Sequence, residues 1–252
     1  MQLAYIPSLL RQRAIYDLPL GPARFEAYLA SMTNQKRDGL EWPFAPLNPM
    51  GKAHVPVHYD ALLAFDAEAI AQQTMSELQT ELPALDCSIR VTLVVVDDAL
   101  GGWTQPNFTD WAYRFSPILS AKSNWLPVYS WTSVVPTPEL VRQAIRAAIY
   151  RAGYRLVHGE AQTLGAMLHQ EGAVTRFAGQ VLPHYHEDEL AAMAERIAEY
   201  LNSHDQPTQF AAFYGDEIAI AVGYPSLGLP AYAGLVVATK ATAVDPISLL
   251  TA

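Results

Sequence analysis

Nine consecutive residues, Ser88-Ile89-Arg90-Val91-Thr92-Leu93-Val94-Val95-Val96, constrain this chain more than any others. Their β-branched side chains suit a pleated strand. The first half alternates polar and apolar, whereas the second half is apolar on both faces, as in a central strand covered from both sides. A second strand is expected over residues 128–135, where Tyr129, Trp131, Ser133 and Val135 alternate with Val128, Ser130, Thr132 and Val134.

Helical patterning fills most of the remainder. Residues 22–32 read as one helix. Residues 57–82 read as helical, with Asp66 capping the longer piece, in which Ala71, Met75, Leu78 and Leu82 form one apolar stripe before Pro83 stops it. Thr137 caps a third with Pro138 in its first position, and Val141, Ala144, Ile145, Ala148 and Ile149 line one face until Gly153. Further helices are expected over about 160–178 and over 187–201, where Leu190, Met193, Ile197 and Leu201 form a stripe. Residues 209–222 fit either period, and their alanines and Gly223 favour helix. Residues 1–56 read as an irregular proline-rich strap apart from 22–32, because the prolines of Trp42-Pro43-Phe44-Ala45-Pro46-Leu47-Asn48-Pro49 cannot lie inside a helix. Few strands and many helices in no regular alternation predict a helix-rich α+β single domain, 1–252, around a small mixed sheet, with 57–252 as its body. At 252 residues and 51% hydrophobic, the chain can bury such a core without disulfides.

Sixteen basic against 25 acidic residues give a net charge of −9, and no basic cluster is denser than Lys36-Arg37 or Arg11-Gln12-Arg13. Phosphate-rich partners need a basic face, so nucleic acid and anionic membranes are excluded as partners. Cys87 is the single cysteine, which rules out an internal disulfide or a multi-cysteine metal site. The start lacks the positive flank and apolar stretch of a signal peptide, and no aliphatic run approaches the ~20 residues of a membrane span. A cytoplasmic protein is expected.

Chemistry is sought first at the end of the central strand, where Asp97-Asp98 precede Ala99-Leu100-Gly101-Gly102-Trp103-Thr104. Carboxylates at the carboxyl end of a central strand, followed by glycines, mark the position where α/β sites form; the plainer reading is a turn. Adjacent strand residues face opposite ways, so the two aspartates act together only if the strand has ended. The following segment holds Trp103, Phe108, Trp111, Tyr113, Phe115 and Trp125. Trp103 and Trp111 are the expected walls of a pocket for a small apolar or ring-containing ligand, unless the aromatics simply fold onto the body.

The second candidate is Glu171, which shares a helical face with Leu164, Met167, Leu168 and Val174. An acid on a core-facing stripe must pair, ligate a metal or carry a raised pKa; the structural alternative is a salt bridge to an arginine such as Arg142 or Arg176. His169 lies ~200° around the helix from Glu171, so the two cannot share one ion; it is taken as a ligand-binding candidate. Glu160 would stand ~16 Å away along the axis, too far for a glycosidase pair. His169-Gln170-Glu171-Gly172 lacks the second histidine of a metalloprotease helix. His54 and His58 would share a helical face, but Pro56 suits the first helical position, which leaves His54 outside. His184 and His186 would point the same way in an extended backbone, and His158 could join them. These three are the metal candidates, with a divalent ion as the cofactor they would hold. No phosphate-binding loop, nucleotide-cofactor motif or Gly-x-Ser-x-Gly elbow occurs.

Two functions follow. One is a hydrolase or lyase with an acidic pocket beside Asp97 and Asp98, walled by Trp103 and Trp111, in which Asp98 or Glu171 is the general base. The other is a non-enzymatic binding or assembly protein, in which the aromatics pack a core or a homo-oligomer interface and Glu171 is a neutralised structural acid.

Overall fold

A computed structural model describes residues 1–34, 36–116 and 124–251. Its architecture is helix-rich α+β, with three strands and eleven α-helices among the described residues. The strands β1 (Gln2–Tyr5), β2 (Ser88–Val96) and β3 (Trp125–Trp131) lie in the order β1-β2-β3. Both pairings are parallel, where a mixed sheet was expected. β2 is the centre, and its residues from Val91 to Val96 are all buried.

β1 falls in the stretch expected to be irregular. It is too short to show a period, and β2 defines it by pairing Leu3 with Ile89 and Tyr5 with Val91. Beyond Tyr5 that edge of β2 receives the Ile6 N–H on the Val91 carbonyl at 2.8 Å and Ser8 Oγ on the Leu93 carbonyl at 3.2 Å. Gln12 on α1 (Leu9–Ala14) completes it: its amide nitrogen donates to the Leu93 carbonyl at 2.7 Å and its oxygen accepts the Val95 N–H at 3.3 Å. Gln12 is 0% exposed, so a side chain stands in for a strand where β1 stops.

α2 spans Pro22–Met32 as expected. The helical stretch read over 57–82 is two helices, α3 (His54–Ala64) and α4 (Ala67–Glu81), with Asp66 capping α4 through the Ala69 N–H at 3.2 Å. α3 begins two residues before Pro56. The first turn of a helix has no intrahelical partners for its N–H groups, so proline costs nothing at its third position either. The aromatic segment after β2 contains α5 (Pro106–Phe115). α6 (Pro138–His158) runs through Gly153, where it was expected to end. α7 (Leu164–Ala178), α8 (Glu187–Ala198), α9 (Gln206–Tyr214), α10 (Asp216–Ala221) and α11 (Ala233–Ala241) complete the chain.

The chain divides into two compact units, Met1–Thr109 with Ile118–Ala148, and Asp110–Pro117 with Ile149–Ala252, so the boundary passes through α5 and α6. The first unit holds the sheet. In its proline-rich segment Phe44 and Leu47 are fully buried, and Trp42 lies 5.2 Å from Trp125 between ring centroids. The second unit is helical, built around α7 and α11. At Gly172 the two approach so closely that a Cβ would stand 2.7 Å from the Ala238 carbonyl oxygen. Among the described residues no helix is long and apolar enough to cross a membrane.

Candidate active site at the carboxyl edge of the sheet

β2 ends at Val96, so Asp97 and Asp98 leave it as turn residues and are not held to opposite faces. One face of the sheet carries Val95 and Asp97 from β2 and its extension, and beside them Ser130 and Thr132. α3 lies over this face. Its residues 54 and 58 are ~6 Å apart along the helix axis, close to the ~6.7 Å between alternate strand residues. The His-x-x-x-His spacing therefore matches two levels of the sheet. His54 Nε2 meets Asp97 Oδ1 at 2.6 Å, and His58 Nε2 meets Ser130 Oγ at 2.8 Å.

Asp97 is 2% exposed and fully engaged. Besides His54 it accepts from Asn48 Nδ2 at 2.7 Å and from Thr132 Oγ1 at 3.1 Å. Asn48 is delivered by the strap, where Tyr16 holds its carbonyl at 2.6 Å. Gly102 packs directly on Asp97: a Cβ there would stand 2.4 Å from the Asp97 carbonyl oxygen and 2.8 Å from its Oδ1. That glycine makes room for the carboxylate. The opposite ring nitrogen of His54, Nδ1, is enclosed and has no hydrogen-bond partner among the described residues. Buried polar atoms without partners are rare, and each calls for an explanation such as a bound water, an ion or a catalytic role.

Asp98 serves a different purpose. It accepts from Ser133 N at 2.9 Å and Ser133 Oγ at 2.6 Å, tying the loop after β2 to the loop after β3. Its charge also favours protonation of His58, but burial outweighs it, and the His58 pKa falls to about 4. His58 is thus neutral at physiological pH.

Glu171 is 0% exposed and lies in the second, helical unit. Arg151 clamps it in bidentate fashion, Nε to Oε1 at 2.6 Å and Nη2 to Oε2 at 2.8 Å. Arg114 Nη1 donates to Oε2, and Gln170 Nε2 to Oε1 at 2.9 Å. Burial alone would raise its pKa, but the two guanidiniums and these hydrogen bonds hold it at about 2. A general base needs a raised value, so the clamp gives Glu171 the character of a structural counter-ion. Its partners are Arg151 and Arg114, not Arg142 or Arg176, because α5 and α6 present those guanidiniums to α7. Arg114 also pairs with Asp110, itself bonded by the Tyr214 hydroxyl at 2.7 Å.

The remaining candidates separate. Trp103 is 54% exposed in the first unit. Trp111 is 7% exposed in the second, packed against Phe115, Phe210, Phe213 and Tyr214 at 4.6–6.2 Å. It is core packing within its own unit. His158 donates to the Leu249 carbonyl at 2.7 Å. His184 and His186 face each other with ring centroids 6.0 Å apart. Among the described residues no three His, Cys, Asp or Glu side chains are grouped as a metal ion requires. His169 Nδ1 meets the Tyr154 hydroxyl at 2.6 Å. His169 also lines an apolar cavity of about 380 Å³ whose walls include Leu168, Ala198, Leu201, Val237 and Ala241.

His54 and His58 were weighed from sequence as a pair and set aside, and Asn48, Ser130 and Thr132 were not candidates. The usable signal was the i, i+4 histidine pair set against small polar residues at alternate positions of a strand. Comparison of the chain with protein-family models, with curated proteins and with solved structures finds no match in any of the three.

Proposed function

We propose that this chain is a hydrolase or lyase whose acid–base group is His54, oriented by Asp97 at the carboxyl edge of the sheet. The carrying observation is the buried carboxylate 2.6 Å from Nε2, combined with an Nδ1 that has no partner among the described residues. A carboxylate on one ring nitrogen fixes the tautomer, places the basic lone pair on the other, and stabilises the imidazolium that forms. Asn48 and Thr132 hold Asp97 in turn. The acidic balance and single cysteine support an uncharged or cationic substrate in a cytoplasmic setting.

The test is turnover of a panel of p-nitrophenyl esters, phosphates and glycosides by wild type and His54→Gln. The expected loss is ~10²–10⁴-fold with an unchanged circular dichroism spectrum. Turnover independent of His54, or none across the panel, counts against the reading.

A binding protein is the second reading, favoured by the apolar cavity of about 380 Å³ beside His169, a volume within the usual ligand range. A small ring-containing ligand with one polar group fits this lining. Saturable fluorescence of anilinonaphthalene sulfonate, abolished by Ala198→Trp, supports it; fluorescence indifferent to that substitution does not.

A further inference from the structure

We propose that Ser130 is a nucleophile activated by His58, making the sheet edge an acyl-transfer site for esters of apolar, ring-containing groups. This rests on the reading that the edge is catalytic, and it adds the attacking atom and the substrate class. Ser130 Oγ is 2.8 Å from His58 Nε2, the reach over which a hydroxyl passes its proton to a base. His58 is 5% exposed and Ser130 is half-buried. Burial keeps His58 neutral above about pH 4, and in the tautomer with its ring proton on Nδ1 its Nε2 accepts from the hydroxyl. One turn earlier on α3 stands His54, held by Asp97. The site thus offers a hydroxyl, a base for it, and a second imidazole in separate places.

The substrate class comes from the two loops that leave β2 and β3. Asp98 ties them together through Ser133. Between them they expose Leu100 (72%), Trp103 (54%), Val134 (45%) and Val135 (81%). Large apolar side chains left in water around one strand edge suit an apolar acyl or alcohol group, and a net charge of −9 disfavours an anionic one.

The chemistry balances with water as the only co-reactant. Ser130 Oγ bonds to the ester carbonyl carbon and its proton passes to His58 Nε2. The carbon–oxygen bond to the alcohol breaks, and the alcohol leaves with the proton that His58 took. Water then adds to the acyl carbon as its proton passes to His54, the bond from the acyl carbon to Oγ breaks, and that proton passes on to Ser130 Oγ as the acid leaves.

A fluorophosphonate reports the first step alone, since its fluoride leaves without needing a proton. Full-length protein is incubated with an alkyl fluorophosphonate and followed by intact mass and peptide mapping. A single adduct on Ser130 is expected, absent in Ser130→Ala and formed at least tenfold more slowly in His58→Gln, each variant keeping the wild-type melting curve above pH 6.5. His54→Gln should still label while losing ester turnover. No adduct, an adduct elsewhere, or a rate indifferent to His58 overturns the proposal. If labelling fails while turnover of 1-naphthyl acetate still depends on His54, Ser130 is wrong and the acid–base reading stands. If Ser130 labels and His54 is dispensable, the reverse holds.

Discussion

Replacing Glu171 by glutamine should destabilise the protein severely while leaving the chemistry of each folded molecule intact. Arg151 has a side chain 3% exposed, and both of its bonds to a carboxylate go to Glu171. Arg114 keeps Asp110 as a counter-ion at 2.6 Å, so the substitution strands one buried cation, not two. A glutamine amide also turns donors towards guanidinium donors. Breaking a buried pair by removing one partner costs about 3–5 kcal/mol. For a chain of this size 1 kcal/mol moves the melting temperature by roughly 2–4 °C, so a fall on the order of 6–20 °C is expected by circular dichroism. Glu171→Leu combined with Arg151→Met, which removes both charges, should recover much of it. A single variant melting within about 2 °C of wild type would refute the reasoning, because the clamp would then contribute less than the smallest buried pair.

Three further outcomes follow from the same geometry. The pKa of His58 is lowered from 6.5 to about 4, so the unfolded chain binds a proton there before the folded one does. Stability from this group is complete above pH 6.5 and is lost as the pH falls towards 4; melting temperatures across that window should slope, and His58→Gln should flatten them. Gly102→Ala forces a Cβ to 2.4 Å from a backbone oxygen and should cost about 1–3 kcal/mol by urea titration, the range for overpacked sites. Gln12→Leu leaves the Val95 N–H and the Tyr59 hydroxyl buried without their acceptor, while the Leu93 carbonyl keeps Ser8 Oγ at 3.2 Å, and should cost at least about 2 kcal/mol in the same assay, at about 1–3 kcal/mol per orphaned group.

The parts of this fold legible in sequence are those with a long period or a cap. β2 announces itself because nine residues switch from alternating to wholly apolar, and the structure buries them in that pattern. α2, the Asp66 cap and the end of α7 at Ala178 follow from local chemistry, whereas α7 starts at Leu164 and not near 160 as expected. β1 was illegible because four residues carry no period, and its identity lies in a partner more than eighty residues away. The same is true of the site. Asp97 was found from its place at a strand end, but its partners come from the strap, α3 and the end of β3, and only register brings them together. His54 was set aside on Pro56, a rule about preference that the orphan donors of a first helical turn do not enforce. Glu171 was read correctly as a buried acid, whereas its neutralisation by Arg151 and Arg114 depends on tertiary packing that a helical wheel does not contain.

The most direct measurement of the central claim is a double-mutant cycle on kcat/KM for ester turnover with His54→Gln, Asp97→Asn and the pair. Asp97 is assigned no role except through His54, so the account predicts a loss for each single variant and a double variant no worse than His54→Gln alone. Losses that multiply, or an Asp97→Asn enzyme as active as wild type, would contradict it.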